Sequence, residues 1–532
     1  MFRPDKSAAV ARDPDKLTAV QKEALRALKI PLCDGILVVG IPVGSSAFIQ
    51  ATLDEVVAEI RAKAESIVQT GKASPNTGQA LFTSACLGIA SMFTHLMRSL
   101  PPPVVEKHAR EVDTIAVECV RRVLRLEHID LEKEEGREFR ERLFLCKGGM
   151  GMMSCARTAD AAYVGHWALV GPAVQKMLPH TAIADMRTIT STPVLKELKA
   201  AADRIAGEVT DAGIKGEVLN LPQMLSNSSR GKQGEISTYL GELALKRFVS
   251  NLPVDTVRQR ERKRAFISGM APEAVAGIHA SRSSLLCQLT DDEHRVTCAH
   301  RLGVDAFPPR QVARKCPDCH QPFADLTAHA LSCSSKEAQG QRTRLHTAID
   351  IAARAIIRDL NPECHVTAAR DAYPVDHGFA ASEDKFLNHH ADAYVYDAGA
   401  GIGFLIDFTF TNAAKSGGKD GAEPGGHADL EEARKYAQYS TQFPGFCADS
   451  SPALVIVSME RHGSWSKGTI DFWEALLHSA HTRQKASEFP VHLSVMKRWV
   501  FQTLAVALRR VNASHILQFR RRVLESTRAG GR

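Results

Sequence analysis

The sequence predicts a multidomain protein of α and α/β class: a helical N-terminal region, a small cysteine–histidine knuckle, an α/β domain built on a hairpin, and a basic C-terminal helix. Three observations predict it. The chain has 532 residues, too many for one core and enough for three or four domains at roughly 100–200 residues each. From Phe48 to about Leu124 apolar residues recur at three- and four-residue spacing, the period of helices that bury one face. Residues 388–412, NHHADAYVYDAGAGIGFLIDFTFTN, read instead as two short strands joined by a Gly-rich turn.

Composition bounds the class further. Hydrophobic residues make up 44% and charged residues 24% of the chain, a globular rather than a disordered balance. No apolar run reads as approaching a membrane span, and the opening MFRPDKSAAVARDPDK has no signal-peptide core. A nuclear or cytoplasmic protein with no membrane partner is therefore expected. The net charge of +7 is mild, but its excess is clustered, which matters for a polyanionic partner. Of twelve cysteines, most are scattered singly in apolar helical patterns, as Cys86, Cys119 and Cys155 are. Cys316, Cys319 and Cys333 alone form a group, which favours metal binding over a disulfide framework.

In chain order, GILVVGIPVGSSAF (35–48) reads as a short apolar hairpin. It is no phosphate loop, because Gly44 is not followed by Gly-Lys-Ser/Thr. A helical bundle follows, with Pro101, Pro102 and Pro103 as its break. GGMGMMSCARTADAAYVGHWALV (148–170) places a Gly-rich turn before a helix that buries Tyr163 and Trp167, with Arg157 and Thr158 at its start. Residues 190–240 are less periodic, and GKQG and SNSSRG read as loops. TVRQRERKR (256–264) gathers Arg258, Arg260, Arg262, Lys263 and Arg264 in one helical segment, either a solvated face or a set of phosphate contacts. The C-terminal helix is amphipathic, and the pattern turns Lys497, Arg509, Arg510, Arg520, Arg521 and Arg522 outward.

Two constellations carry chemistry. CPDCHQPFADLTAHALSC (316–333) gives C-x2-C-x9-H-x3-C: Cys316 and Cys319 suit a tight thiolate turn, and His329 and Cys333 share one helical face. Four such donors make a closed structural zinc site, since thiolate and imidazole select zinc over hard cations. His320 adjoins Cys319 and is awkwardly placed to compete. On the hairpin, Asp392 and Asp407 each interrupt an apolar strand. A buried carboxylate needs a partner, and two on adjacent antiparallel strands can share one Mg²⁺. An ordinary hairpin with solvent-facing acids is the alternative. Glu363 is a weaker third acid and reads as a surface residue.

The order of LTDDEHRVTCAHRLGVDAFPP, the Cys-Cys-His-Cys knuckle and the acid-bearing hairpin resembles the C-terminal half of non-LTR retrotransposon proteins that carry a restriction-enzyme-like endonuclease. Asp392, a gap of fourteen residues, and Asp407-Phe408-Thr409 resemble its PD-(D/E)xK-type signature, with Thr in place of Lys. GHADLEEARKYAQY resembles the helix in which these enzymes carry a Lys and a Tyr, here Lys435 and Tyr439, and PALVIVSMERHG the strand that follows. GILVVGIPVGSSAF, MFTHLMRSLPPP and GGMGMMSCARTADAAYVGHW resemble the region after the reverse-transcriptase palm, including the thumb. No aromatic-x-Asp-Asp polymerase motif occurs, so a two-metal polymerase site is lacking.

The resemblance implies five segments: a thumb-like helical region (1–147), a helical linker region (148–299), the zinc knuckle (300–340), the endonuclease domain (341–485) and the basic C-terminal helix (486–532). It implies Mg²⁺-dependent nicking of target DNA, whose 3′ end primes copying of an element RNA, with a separate reverse-transcriptase polypeptide as a possible partner. Asp392 and Asp407 then hold Mg²⁺, the Phe408 carbonyl completes the site, and Lys435 supplies the positive charge that Thr409 cannot. Two other classes stay open: a non-catalytic RNA- or DNA-binding remnant, and a structural helical protein with a zinc staple.

Overall fold

A computed structural model describes residues 9–10, 16–177, 193–211, 231–280, 285–308, 315–323, 326–333, 335–368, 372–397, 401–413, 423–444, 453–484 and 491–530. The fold is mostly helical with small sheets, which agrees with the expected class in its coarse form. Two compact units make it up. Met1–Ala73, Thr83–Val120 and Met152–Arg247 form the first, and Ser74–Phe82, Arg121–Gly151 and Phe248–Arg532 form the second.

In the first unit β1 (Ala9–Val10) pairs in parallel with β2 (Leu32–Cys33), while β3 (Gly35–Val38) and β4 (Ile41–Gly44) form the hairpin read from the sequence. Its two-residue turn, Val39-Gly40, has φ of 53° and 78°, which glycine adopts freely and β-branched valine resists. The helix Ser46–Ala73 buries Leu53, Val57, Ile60, Ala64 and Val68, one stripe at three- and four-residue spacing. The helix Cys155–Met177 has a borrowed N-terminal cap: the Asp113 carboxylate accepts from Ser154 Oγ (2.6 Å) and from the backbone N–H groups of Cys155 (2.6 Å) and Ala156 (3.2 Å). A carboxylate there satisfies donors that the helix leaves open.

Residues 190–240 correct the sequence reading. Pro193–Asp211 and Lys232–Asn251 are helices. Leu195, Leu198, Ala202 and Ile205 of the first, with Ile236 and Leu243 of the second, pack against Tyr163 and Val164. GKQG therefore enters a helix at Lys232, because burial of Ile236 and Leu243 outweighs roughly 1 kcal/mol for an interior glycine. Most of SNSSRG lies outside the described residues. Gly78–Ser99 also departs from expectation, since it is long and apolar enough to cross a membrane by length and composition alone. It is folded as two short α-helices, Gly78–Ser84 and Thr94–Ser99, around a π turn and a 3-10 turn, and buries Phe82, Cys86, Ile89, Phe93 and Met97.

The second unit is organised around a four-stranded sheet in the order β5 (Cys364–Ala368), β6 (Ala393–Asp397), β7 (Ile402–Thr411) and β8 (Ala453–Glu460). β5, β6 and β7 are antiparallel neighbours, and β8 joins β7 in parallel. That parallel step requires a crossover, which the helix Gly426–Gln442 supplies. Alternation along β7 divides its side chains between two cores. Ile406 and Phe408 pack with Val457, Trp473 and the helices Lys336–Leu360, Lys467–Gln484 and Leu493–Gly530; Leu405 packs on the other face with Tyr439 and Phe443. Helices thus cover both faces.

The C-terminal segment belongs to this core: Val500, Phe501, Leu504 and Leu508 of the helix Leu493–Gly530 lie within it. Its basic residues do not turn outward as a set. Arg509 donates to the Ala274 carbonyl, Arg510 to Leu286 and Gln288, Lys497 pairs with Glu474, Arg522 with Asp318 at 2.9 Å, and the Arg520 guanidinium stacks 3.7 Å from the centre of Phe307. Arg521 is exposed. The amphipathic pattern assumes one solvated face, whereas this helix is packed on several sides and its arginines cap neighbouring carbonyls.

The same helix carries a pH liability. Burial, then Arg461, Arg522 and Arg344, lower the His515 imidazole to about 4. The unfolded chain takes up this proton near 6.5, so the folded state binds it less readily. Stability from this group is complete above about pH 6.5 and is lost as pH falls towards 4, on the order of 3 kcal/mol in all. Urea midpoints at pH 7 and pH 4.5 are expected to differ less in His515→Gln than in the wild type; parallel shifts would contradict this.

Candidate metal centres

Antiparallel pairing sets Ala393 opposite Ile406, and the regular register ends there. Asp392 lies one residue before β6 as the strand is bounded, and its N–H still donates to the Ile406 carbonyl at 2.8 Å. By alternation Asp407 shares the face of Leu405, whereas the helix that carries His346 covers the face of Ile406 and Phe408. Asp407 is only 6% exposed. His346, on the helix Lys336–Leu360, reaches the same point: its Nε2 lies 2.7 Å from Asp392 Oδ2, which also accepts from the Phe408 N–H at 2.6 Å. One ligand atom from each of His346, Asp392 and Asp407 lies within 4.8 Å of the others, close enough to hold a metal ion.

The crossover helix faces the acids. Lys435 Nζ donates to Asp407 Oδ2 at 2.9 Å, and Thr409 Oγ1 to Glu431 at 3.3 Å. Tyr439 is buried close enough to Asp407 for the carboxylate to act on its phenol. Burial, with the charges of Asp407 and Asp392, raises its phenol, which stays a neutral donor. For Asp407, burial and then the charge of Asp392 push the carboxyl up to about 7 against the pull of Lys435. For Asp392, burial likewise raises the carboxyl, yet the His346 hydrogen bond and charge hold it below the usual value. Burial opposes protonation of His346, but Asp392, Asp407 and Asp350 together raise the imidazole. Two carboxylates forced together in a buried place call for added positive charge, and a cation fits that need. A cleft of about 650 Å³, lined by His346, Phe408–Asn412 and Arg461, opens beside the cluster.

Sequence patterns missed His346, Asp350 and Glu431. Spacing gave no sign of His346, which lies 46 residues before Asp392 on another element. Glu363 is exposed just beyond its helix.

The knuckle closes on its four expected residues. Cys316, Cys319, His329 and Cys333 each present a donor atom within 4.8 Å of the others, with Cys316 Sγ 3.9 Å from Cys333 Sγ and Cys319 Sγ 3.4 Å from His329 Nε2. A tetrahedral ion with bonds of about 2.0–2.3 Å sets its donors roughly 3.5–3.8 Å apart. The backbone N–H groups of Asp318 and Cys319 both point at Cys316 Sγ, at 3.4 Å, which favours a thiolate. Without a cation, burial pushes the Cys316 thiol up to about 12; burial also opposes ionisation of Cys333, but hydrogen bonds from Ser335 and the neighbouring cysteines lower it. Phe323 and Phe519 flank the His329 ring at 5.2 and 5.5 Å. His320 stands outside the cluster, exposed, at a φ of 60°.

The basic run 258–264 forms the helix Val257–Ser268. Arg260 donates to the carbonyls of Val254 and Asp255, and Arg262 to Glu138 and Gly303. Lys263 and Arg264 are half-buried and Arg258 is exposed. Much of the run therefore serves the fold itself. Comparison with protein-family models found no match, and comparison with curated protein sequences found none.

Proposed function

We propose that the chain is a metal-dependent DNA endonuclease related to non-LTR retrotransposon proteins, nicking one strand of target DNA to prime copying of an element RNA, without a polymerase site of its own. One observation carries the proposal: two carboxylates from neighbouring strands and a histidine bring ligand atoms within 4.8 Å of one another, under a lysine, beside an open cleft. Asp392 and Asp407 hold Mg²⁺, or Mn²⁺ in its place, because carboxylate oxygens suit these cations. Once held there, such a cation would supply Lewis-acid polarisation of the phosphodiester and a more acidic water. His346 orients Asp392 through its Nε2 bond, and Tyr439 orients Asp407. Lys435 stabilises charge developing on the phosphate oxygens, the role in which a fixed positive group has most effect. In the knuckle, four protein donors of thiolate and imidazole type select zinc and leave no position for water, so the ion is structural.

A nucleic-acid-binding remnant without catalysis is the competing reading. It is favoured by the internal partners of the acids, since Lys435 on Asp407 and His346 on Asp392 satisfy both without a cation. Purified full-length protein is expected to convert supercoiled plasmid to the nicked form with Mg²⁺ or Mn²⁺ and to stop in EDTA. DNA binding that weakens steeply with salt, without cleavage under any metal, would favour the remnant.

A further inference from the structure

In the second unit a cavity of about 320 Å³, bounded on one side by His329 of the knuckle, is rich in arginine: Arg142, Arg258, Arg262, Arg301, Arg461 and Arg509 line it against one acid, Glu261. Arg142 and Arg262 share Glu138, at 2.5 and 3.0 Å. Arg301 and Arg509 are different. Arg301 Nε donates to the Gly149 carbonyl at 2.7 Å and Nη1 to Ala274 at 3.4 Å, while Arg509 donates to Ala274. These partners are neutral carbonyls. Arg301 Nη2 is buried with no hydrogen-bond partner, as are Arg142 Nε and the His462 Nδ1 that also lines the cavity. Burial lowers the Arg301 guanidinium well below its ordinary value, and Arg509 and Arg142 add to the effect; burial lowers Arg509 to about 10. The neighbouring Cys298 thiol is itself pushed up to about 12 by burial, so near neutral pH it is uncharged and offers neither guanidinium a counter-charge.

Desolvated charge without a counter-charge is costly, and a fold that clusters it around a hollow leaves room for an anion to complete the set. Guanidinium groups pair best with phosphate oxygens. Phe266 and Leu508 add apolar wall, so the cavity suits a ligand with an uncharged body and a charged end, and its volume is at the lower end for small-molecule sites, roughly 300–1,000 Å³. We propose that this cavity is a binding site for a phosphate-bearing small anion of the nucleotide class, held through Arg301 and Arg509. It stands independently of the nuclease assignment.

The probe is a fluorescent ADP analogue titrated into the full-length, zinc-loaded protein, with pyrophosphate, ADP, adenosine and a short single-stranded DNA as competitors. Saturable binding is expected, displaced by ADP and pyrophosphate but not by adenosine. Displacement by DNA at lower concentration than ADP would overturn the small-molecule assignment in favour of a strand phosphate. Arg301→Met is expected to weaken binding about 10- to 100-fold, the loss of one charge-assisted contact. Without ligand this variant melts at or above the wild-type temperature, because an uncompensated charge has gone; a purely structural Arg301 predicts a lower one. Should Arg301→Met fail to fold, the exposed Arg258→Ala tests the same cavity and weakens binding several-fold. Absence of saturable binding to the wild type, or unchanged affinity in these variants, overturns the proposal.

Discussion

Asp407→Asn is expected to abolish the proposed plasmid nicking, by at least about 10³-fold, while leaving the fold intact. The size follows from what is removed: one of the two carboxylates proposed to hold the cation, and the group that Lys435 pairs with. Loss of a group on which electrostatic stabilisation depends costs about 10²–10³ even when a single donor goes, and here the cation site goes with it. Asparagine has the same shape, can still accept from Lys435, and no longer repels Asp392. The melting temperature is therefore expected to hold or rise, which separates lost chemistry from lost structure. Lys435→Met lowers nicking about 10²-fold without abolishing cation binding. Tyr439→Phe has a smaller effect, because the phenol only orients Asp407. The comparison is made in single-turnover nicking assays with metal binding followed separately by Mn²⁺ titration. Wild-type activity in Asp407→Asn would remove the acid pair from the mechanism.

Zinc removal has the largest expected effect on stability. Structural zinc sites in small peptides bind with about 10–16 kcal/mol near neutral pH, and that free energy is folding free energy. In this protein the knuckle is not an isolated finger. Phe519 of the C-terminal helix packs on His329, and Arg522 holds Asp318, between the two leading cysteines. Stripping the ion with a strong chelator is expected to unfold the knuckle and lower the melting temperature of the second unit by roughly 10 °C or more. Metal analysis should find one zinc per chain, lost in Cys333→Ser. Protein purified from zinc-supplemented cells that holds no zinc, or a Cys333→Ser variant with wild-type metal content and melting, would show the four donors to be a coincidence of spacing.

How much of this was legible in the sequence depended on how local each feature is. The knuckle and the hairpin were legible because their donors lie within one or two adjacent elements, where spacing alone fixes geometry. That Asp392 and Asp407 come from neighbouring antiparallel strands was legible from a turn and a two-residue period, although Asp392 falls just before the paired register. His346 was not legible, because it comes from a helix whose apolar stripe speaks only of burial. The outward set of arginines on the last helix was misread for a related reason. Helical periodicity separates apolar from charged residues but does not say that a charged residue meets water; Arg509 and Arg510 meet backbone carbonyls instead. The helices 193–211 and 232–251 were obscured by glycines and small residues whose tolerance is decided by packing.

The 38-residue helix Leu493–Gly530 spans roughly 57 Å at 1.5 Å per residue, with one part inside the sheet core at Val500 and Leu504 and another against the knuckle at Phe519. A late stop codon or a protease cut near residue 492 would therefore remove no dispensable tail; it would withdraw a strut shared by the sheet core and the sulfur cluster. Attempts to express either of those pieces separately should keep this helix, and a chain ending before it is expected to accumulate as aggregate.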